Sequence, residues 1–332
     1  MTTVETVRGP VDVDALGTTL MHEHVFITSP DVMANYGDLW WDEEERVADA
    51  VGQLRRLADL GVRTLVDPTV VGLGRYLPRV ARVNAEVDLN IVVATGMYLF
   101  DELPLALKFQ GPGTPYGGPE PLTEWFLRDI REGIGGTGIK AAFLKCVVEE
   151  QGLTPDQTRL QLAVAATHVE TGAPITVHTN SVAQTGRLAL DLYEREGVDL
   201  TKVVISHAGD SNDLDYLREL ADRGATLGCD RFGNNTQNSN ENRVATVAAL
   251  CREGYADRIV LSHDVSCFID FFALDVPKQA LARVSPDWNL EYLSRIGVPA
   301  LLAAGVTEDQ VTTMMVDNPR RYFTPIRHES RE

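Results

Sequence analysis

No Cys-x-x-Cys pair occurs in this chain, and its four cysteines, Cys146, Cys229, Cys251 and Cys267, lie far apart. That spacing excludes a disulfide framework and fits reduced thiols. No apolar run approaches the ~20 residues that a bilayer span needs. The N-terminal segment has no basic stretch followed by an apolar one, so no secretory leader is expected and the chain reads as cytoplasmic. Basic charge is scarce: Lys+Arg is 30 against 48 Asp+Glu, a formal net charge of −18. Such an excess repels a nucleic-acid backbone and an anionic membrane surface, so neither is expected as a partner. No Gly-x-Gly-x-x-Gly follows the first strand-like run; Gly72-Leu73-Gly74 lacks the third glycine, which weakens a dinucleotide-binding reading. Internal repeats and low-complexity segments are absent too.

What is present is alternation. Hydrophobic residues make up 44% and charged residues 23%, which places the chain among globular proteins. A length of 332 residues suits two ordinary domains, or one α/β barrel of roughly 250 residues with extensions. Short apolar runs rich in β-branched residues occur at 18–24, 62–68, 90–96, 139–146, 174–178, 202–207, 225–230 and 258–264. Amphipathic segments separate them, near 43–59, 77–86, 121–133, 155–171, 183–196, 212–223 and 241–253, and two more follow near 290–304 and 308–317. Thr154-Pro155-Asp156-Gln157 and Thr307-Glu308-Asp309-Gln310 read as helix starts. Gly61, Gly172, Gly197, Gly224 and Gly254 read as left-handed helix ends. Apolar strands alternating with helices pair in parallel and are covered on both faces. The expected fold is α/β: a (β/α)8 TIM barrel with a short N-terminal extension and C-terminal helices, one domain over 1–332 with the barrel at about 17–323. A doubly wound open sheet is the alternative.

The polar residues are not scattered. Of the seven histidines, His22, His24, His178, His207 and His263 end strand-like runs, whereas His168 sits in a helical pattern and His328 in the tail. In a barrel, C-terminal strand ends face the active site. His22 and His24 stand at i and i+2, so they share a face and can chelate one metal, with Glu23 on the other face. Lys145 shares a face with Ile139, Ala141 and Phe143; an inward ammonium is costly, so it either reaches solvent or is chemically changed. His178 and His207 are each either hydrogen-bonded core residues or ligands. His263 and Asp264 face opposite ways, so only one of them enters the mouth, where a carboxylate serves as metal ligand or proton acceptor.

Taken in order, His-x-His on the first strand, Lys145 on the fourth, His178 and His207 on the fifth and sixth and Asp264 on the eighth resemble the amidohydrolase superfamily, and within it the phosphotriesterase family. Ser206-His207-Ala208-Gly209-Asp210 and Leu261-Ser262-His263-Asp264 resemble that family's segments. The resemblance implies two divalent metal ions, zinc first, with iron, cobalt or manganese as alternatives. His22, His24 and Asp264 would hold the more buried ion and His178 and His207 the more exposed one. Lys145 would carry a carbamate bridging both, together with a hydroxide.

Tyr98, after the third strand, and Arg231, after the seventh, are similar to residues of the phosphotriesterase-like lactonases, and Asp264 is then the proton acceptor, with Arg231 orienting Tyr98. His178-Thr179-Asn180 and Val265-Ser266-Cys267 depart from the family's usual residues; only the second bears on substrate choice. The long segment after the eighth strand, with Cys267, Phe268, Ile269, Phe271, Phe272, Ala273, Leu274, Val276 and Trp288, is either a lid offering an apolar groove or a satellite core or dimer contact. Phe26 and Leu73 are expected to line the same mouth. The expected activity is opening of lactone rings, N-acyl homoserine lactones first (a quorum-quenching lactonase), with weak promiscuous phosphotriesterase activity on paraoxon-like esters. A dedicated organophosphate hydrolase is the alternative, and a non-catalytic binding protein a remoter one. A homodimer is expected from the resemblance alone.

Overall fold

The computed structural model describes residues 2–272 and 275–325, without the side chains of 272 and 275–277. It opens with an antiparallel hairpin of β1 (Thr3–Thr6) and β2 (Gly9–Asp12). The first barrel run is split. β3 (Thr19–Leu20) lies in the barrel; after a break at 21–23 the chain resumes as β4 (His24–Ile27). The other strands are β5 (Thr64–Asp67), β6 (Asn90–Gly96), β7 (Phe143–Val148), β8 (Ile175–Thr179), β9 (Val203–Ser206), β10 (Thr226–Cys229), β11 (Ile259–Leu261) and β12 (Ser266–Ile269).

Eight of these pair in parallel in the order β11-β10-β9-β8-β7-β6-β5-β3. At the seam the Met21 N–H donates to the Leu261 carbonyl at 3.4 Å and the Asp264 N–H to the His22 carbonyl at 3.1 Å, which closes the sheet. This is the (β/α)8 barrel that the alternation implied. The expected strand at 18–24 is the main departure: β4 leaves the barrel and pairs in parallel with β12, Ser266 opposite His24 and Phe268 opposite Phe26. Two short strands thus extend the seam beyond the barrel rim.

Inside the barrel Val66, Val92, Ala94, Phe143, Val204 and Val260 pack in one cluster, closed from below by Val4, Val13 and Leu16 of the N-terminal segment and by Tyr322 and Phe323. Each large side chain buried in this way contributes about 1.5–3 kcal/mol. The Tyr322 hydroxyl lies 2.8 Å from Thr176 Oγ1, and Lys202 Nζ donates to the Arg321 carbonyl at 2.6 Å, pinning the last helix to the floor. A second cluster, including Leu65, Ile91, Leu144, Ile175, Ile205 and Leu227, joins the outer faces of the strands to the helices.

The helix signals read from sequence fall where expected. Thr154 accepts from the Gln157 amide at the start of the helix Pro155–Thr171, and Thr307 and Gln310 complete a reciprocal capping box. Gly172 ends its helix at φ +71°, a left-handed turn costly for any residue with a Cβ. Gly96 has a different duty: it lies beside Lys145 across β6 and β7, where a Cβ would overlap the Lys145 carbonyl oxygen. Among the described residues no helix is long and apolar enough to cross a membrane.

Candidate metal centre

The strand ends bring His22, His24, Lys145, His178, His207 and Asp264 to one rim. His22, His24, Lys145 and His207 are all buried, each at 3% exposure or less. Asp264 Oδ1 lies 3.5 Å from His22 Nε2 and 3.4 Å from His24 Nε2. Lys145 Nζ lies 3.4 Å from His22 Nε2. His207 Nε2 meets His178 Nδ1 at 2.9 Å, with Asp264 Oδ2 3.9 Å away. His207 and Asp264 have left-handed backbones, at φ +66° and +56°, just past the ends of β9 and β11. Both strands therefore turn sharply where a ligand must point inward, and such strain persists only where the surroundings hold it.

The outer ring nitrogens are anchored. Asp230 Oδ2 accepts from His22 Nδ1 and Asp230 Oδ1 from His207 Nδ1, both at 2.9 Å. His24 Nδ1 lies 2.7 Å from Thr69 Oγ1, whose hydroxyl donates to Asp67 Oδ1 at 2.5 Å, so the imidazole donates to the threonine. Each of these three rings then presents an unprotonated Nε2 to the rim, as a metal ligand must. His22, His24 and Asp264 offer ligand atoms within 4.8 Å of one another. His22, His207 and Asp230 also cluster this closely, but both Asp230 oxygens are already committed to Nδ1 hydrogens, so Asp230 orients ligands and is not one. His22, His24 and Asp264 are a donor set that fits a divalent cation.

Electrostatics agree for His22 and His207. Burial, with Lys145 nearby, lowers the His22 pKa; burial and the Arg231 charge push His207 well below its ordinary value, so both rings are neutral. Burial opposes protonation of His24 too, but hydrogen bonds to Asp264 and Asp67 outweigh it and raise that ring to about 8. Burial brings Lys145 down to about 8. Desolvation would raise Asp264, but the His24 hydrogen bond and the Arg231 guanidinium hold it well below the usual carboxylate range.

Glu23 points away from the rim, as strand alternation implied. It accepts from His263 Nδ1 at 2.6 Å and from the Val265 amide at 2.9 Å, bracketing the backbone that carries Asp264.

Beside the cluster lies a cavity of about 340 Å³. Its polar side holds His22, His24, Lys145, His178, Tyr98, Arg231 and Asp264. Its apolar side holds Ile27, Leu73, Val265, Ile269, Phe271, Leu281 and Trp288. The sequence profile of the Phosphotriesterase family matches residues 2–323. The chain belongs to the phosphotriesterase family.

Relatives agree. The chain is 47% identical over 323 residues to a phosphotriesterase homology protein of Mycobacterium tuberculosis, covering 97% of this chain and 98% of the relative. It is 33% identical over 309 residues to an aryldialkylphosphatase of Saccharolobus solfataricus, covering 93% and 95%. The solved structure of the phosphotriesterase from Mycobacterium tuberculosis superposes with a TM-score of 0.94 at 48% identity, over 97% of this chain and 98% of that one. The protein is thus a phosphotriesterase-family hydrolase on a (β/α)8 barrel.

Within this phosphotriesterase-family cup, several residues sit other than expected. Arg231 was expected to orient Tyr98. Instead its Nε donates to Asp264 Oδ2 and its Nη1 to Asp210 Oδ2, both at 2.9 Å, while the Tyr98 hydroxyl donates to Glu149 Oε1 at 2.5 Å. Phe26, Cys267 and Phe268 were expected at the substrate wall, but none lines the cavity. The Phe26 and Phe268 rings pack on Trp41 at 5.8 and 5.1 Å, and the Cys267 carbonyl accepts from Gln53. Phe26 and Phe268 are register partners in the β4–β12 pair and both pack on Trp41, while Ile27, Ser266 and Ile269 line the cavity. Leu73, Phe271 and Trp288 do line it. The side chains of Phe272 and Val276, the residues Ala273 and Leu274, and His328 lie outside the described residues.

Asp67, Thr69, Glu149 and Asp230 are the functional residues that the sequence reading missed. Asp67 and Asp230 end their strand-like runs as the histidines do, which was a usable signal; Thr69 and Glu149 carried none.

Proposed function

We propose that this hydrolase opens lactone rings, N-acyl homoserine lactones first, and acts weakly on phosphotriesters such as paraoxon. The observation that carries the reading is the two-faced cavity: a buried histidine and carboxylate cluster on one side, and on the other an apolar wall from Leu73 and Ile269 to Trp288 that suits an acyl chain. His22, His24 and Asp264 would hold one divalent ion, His178 and His207 a second, and a carbamate on Lys145 would join them. Zinc suits this donor set best, with iron, cobalt or manganese as alternatives. When bound, such ions supply water activated at neutral pH and a Lewis acid for the ester carbonyl.

The chain's own groups do the rest. Asp264, ionised and facing the cavity, takes the proton from the attacking water and returns it to the leaving ring oxygen. The carbonyl carbon gains a hydroxyl, the ring C–O bond breaks, and the product is a hydroxy acid. Proton transfer positioned in this way is typically worth about 10²–10⁴-fold. Burial and the Glu149 carboxylate raise the Tyr98 pKa, so the phenol keeps its proton and is a donor only. To serve the developing oxyanion it must release Glu149.

The aryldialkylphosphatase among the relatives favours a second reading, a dedicated organophosphate hydrolase. A panel of homoserine lactones, simple lactones and paraoxon, run with metal quantified in the same sample, separates the two. Higher kcat/KM on lactones supports the proposal; efficient paraoxon hydrolysis without lactone opening overturns it. The homodimer expected from the resemblance belongs to the same proposal and is checked by sedimentation.

A further inference from the structure

Between β6 and the helix Pro121–Arg131 the chain runs through residues 97–120, with one short helix, Leu105–Lys108, inside them. Among the described residues, Tyr98 is the one member of this segment that lines the active-site cavity. The position of the whole segment is therefore felt in the cavity through Tyr98. A segment with so little regular structure must find partners for its backbone groups elsewhere.

The helix Pro155–Thr171 supplies them from its first turns. Asp156 Oδ2 accepts from the Leu103 amide at 2.9 Å and from Lys108 Nζ at 2.5 Å. Arg159 donates to the Leu107 and Gln110 carbonyls, both at 2.7 Å. The same guanidinium meets the two oxygens of Glu120 at 2.5 and 3.0 Å. Glu120 in turn caps the helix Pro121–Arg131, accepting from the Leu122 amide at 3.1 Å. The Arg159 and Glu120 side chains are only 14% and 16% exposed, so this bidentate pair is shielded from the solvent that weakens surface ion pairs. Gly111 makes the approach possible: its φ is +104°, and a Cβ there would overlap Arg159 Nη2. Nearer the cavity, the buried Gln157 donates to the Leu99 carbonyl at 3.4 Å, next to Tyr98 in the chain.

We propose that Arg159 and Asp156 are positioning residues for the reaction: together they clasp the segment 97–120 and so fix where Tyr98 stands before substrate arrives. The inference rests on the reading of Tyr98 as donor to the developing oxyanion. Neither Arg159 nor Asp156 lines the active-site cavity, so the effect of the clasp on the reaction runs through Tyr98. The planar guanidinium, held by two carbonyls and a carboxylate at once, sets an orientation that a single flexible ammonium does not.

Arg159→Met and Asp156→Ala test it, each cutting a different part of the clasp on the outside of the barrel. Hydrogen exchange read by mass spectrometry should show amides of residues 99–110 exchanging at least about 10-fold faster in both variants, with the barrel strands as slow as in wild type. On a lactone, kcat/KM of the metal-loaded variants should fall roughly 10- to 100-fold, the cost of a displaced catalytic group. In a Tyr98→Phe background the same substitutions should cost less than about 2-fold, because the group they position is already gone. Exchange over 99–110 as slow as in wild type, or the same fold-loss with and without the Tyr98 hydroxyl, overturns the proposal. Failure of the underlying reading shows separately, as a Tyr98→Phe variant that opens lactones at the wild-type rate, and that result overturns both.

Discussion

Arg231 and Asp264 form an ion pair at 2.9 Å on the cavity wall, and Asp210 holds the same guanidinium from behind at 2.9 Å. Arg243, fully buried, meets the other Asp210 oxygen at 2.5 Å. The pair fixes Asp264 Oδ2 and leaves Oδ1 toward His22 and His24. Replacing Arg231 with methionine should free that carboxylate. A charge-assisted hydrogen bond is worth about 1.5–3 kcal/mol, so kcat/KM on a lactone should fall roughly 10- to 100-fold, with metal content unchanged. The loss should add to that of Tyr98→Phe in a double mutant, because the two side chains do not hydrogen-bond each other. Strong non-additivity would restore a direct Arg231–Tyr98 role.

Lys145→Ala removes the buried amine without a bulky intruder. Elemental analysis should find both ions reduced together with activity. Added short-chain carboxylic acids, which can enter the space as a bridging carboxylate, should restore part of each. Full metal occupancy in the alanine variant would dismiss the carbamate.

Asp230→Asn keeps size but cannot accept on both arms. One of His22 and His207 must then turn its ring hydrogen toward the rim. Chelator competition should show metal affinity about 10- to 100-fold weaker, while circular dichroism should remain that of the wild type.

His168 provides a pH test outside the centre. Its Nδ1 donates to the Ala173 carbonyl at 2.8 Å and its Nε2 accepts from the Asp199 amide at 3.2 Å, an arrangement that requires a neutral ring. Burial lowers its pKa from 6.5. Its stabilisation is therefore complete above pH 6.5, the unfolded value, and is lost as pH falls from there toward the lowered folded value. Urea midpoints of metal-loaded protein measured between about pH 7.5 and 5 should fall more steeply in wild type than in His168→Gln. Equal slopes would mean that this ring is not the sensor.

Much of the centre was legible because chemistry and periodicity coincide. Imidazoles do not belong at the ends of apolar strands without a reason, and five of them stand there. The break after Leu20 was not legible, since His22, Glu23 and His24 alternate like any strand; what separates β4 from the barrel is pairing with β12, more than 230 residues on in the chain, as the Ser266–His24 register shows. That same pairing misled the expectation for Phe26 and Phe268, which meet across it and pack together on Trp41. Glu149 escaped because acidic residues after strands are common on any surface; only the groups it meets distinguish it.

The seam carries a lesson about how this molecule comes into being. His22 and His24 emerge early from the ribosome, but the carboxylate they face, and the strand that holds β4 in place, are made only when about four-fifths of the chain has been synthesised, at Asp264 to Ile269. Until then two metal-hungry histidines sit on an unfinished edge. Truncation before β12 would leave a nascent protein with most of its strands but no assembled catalytic centre.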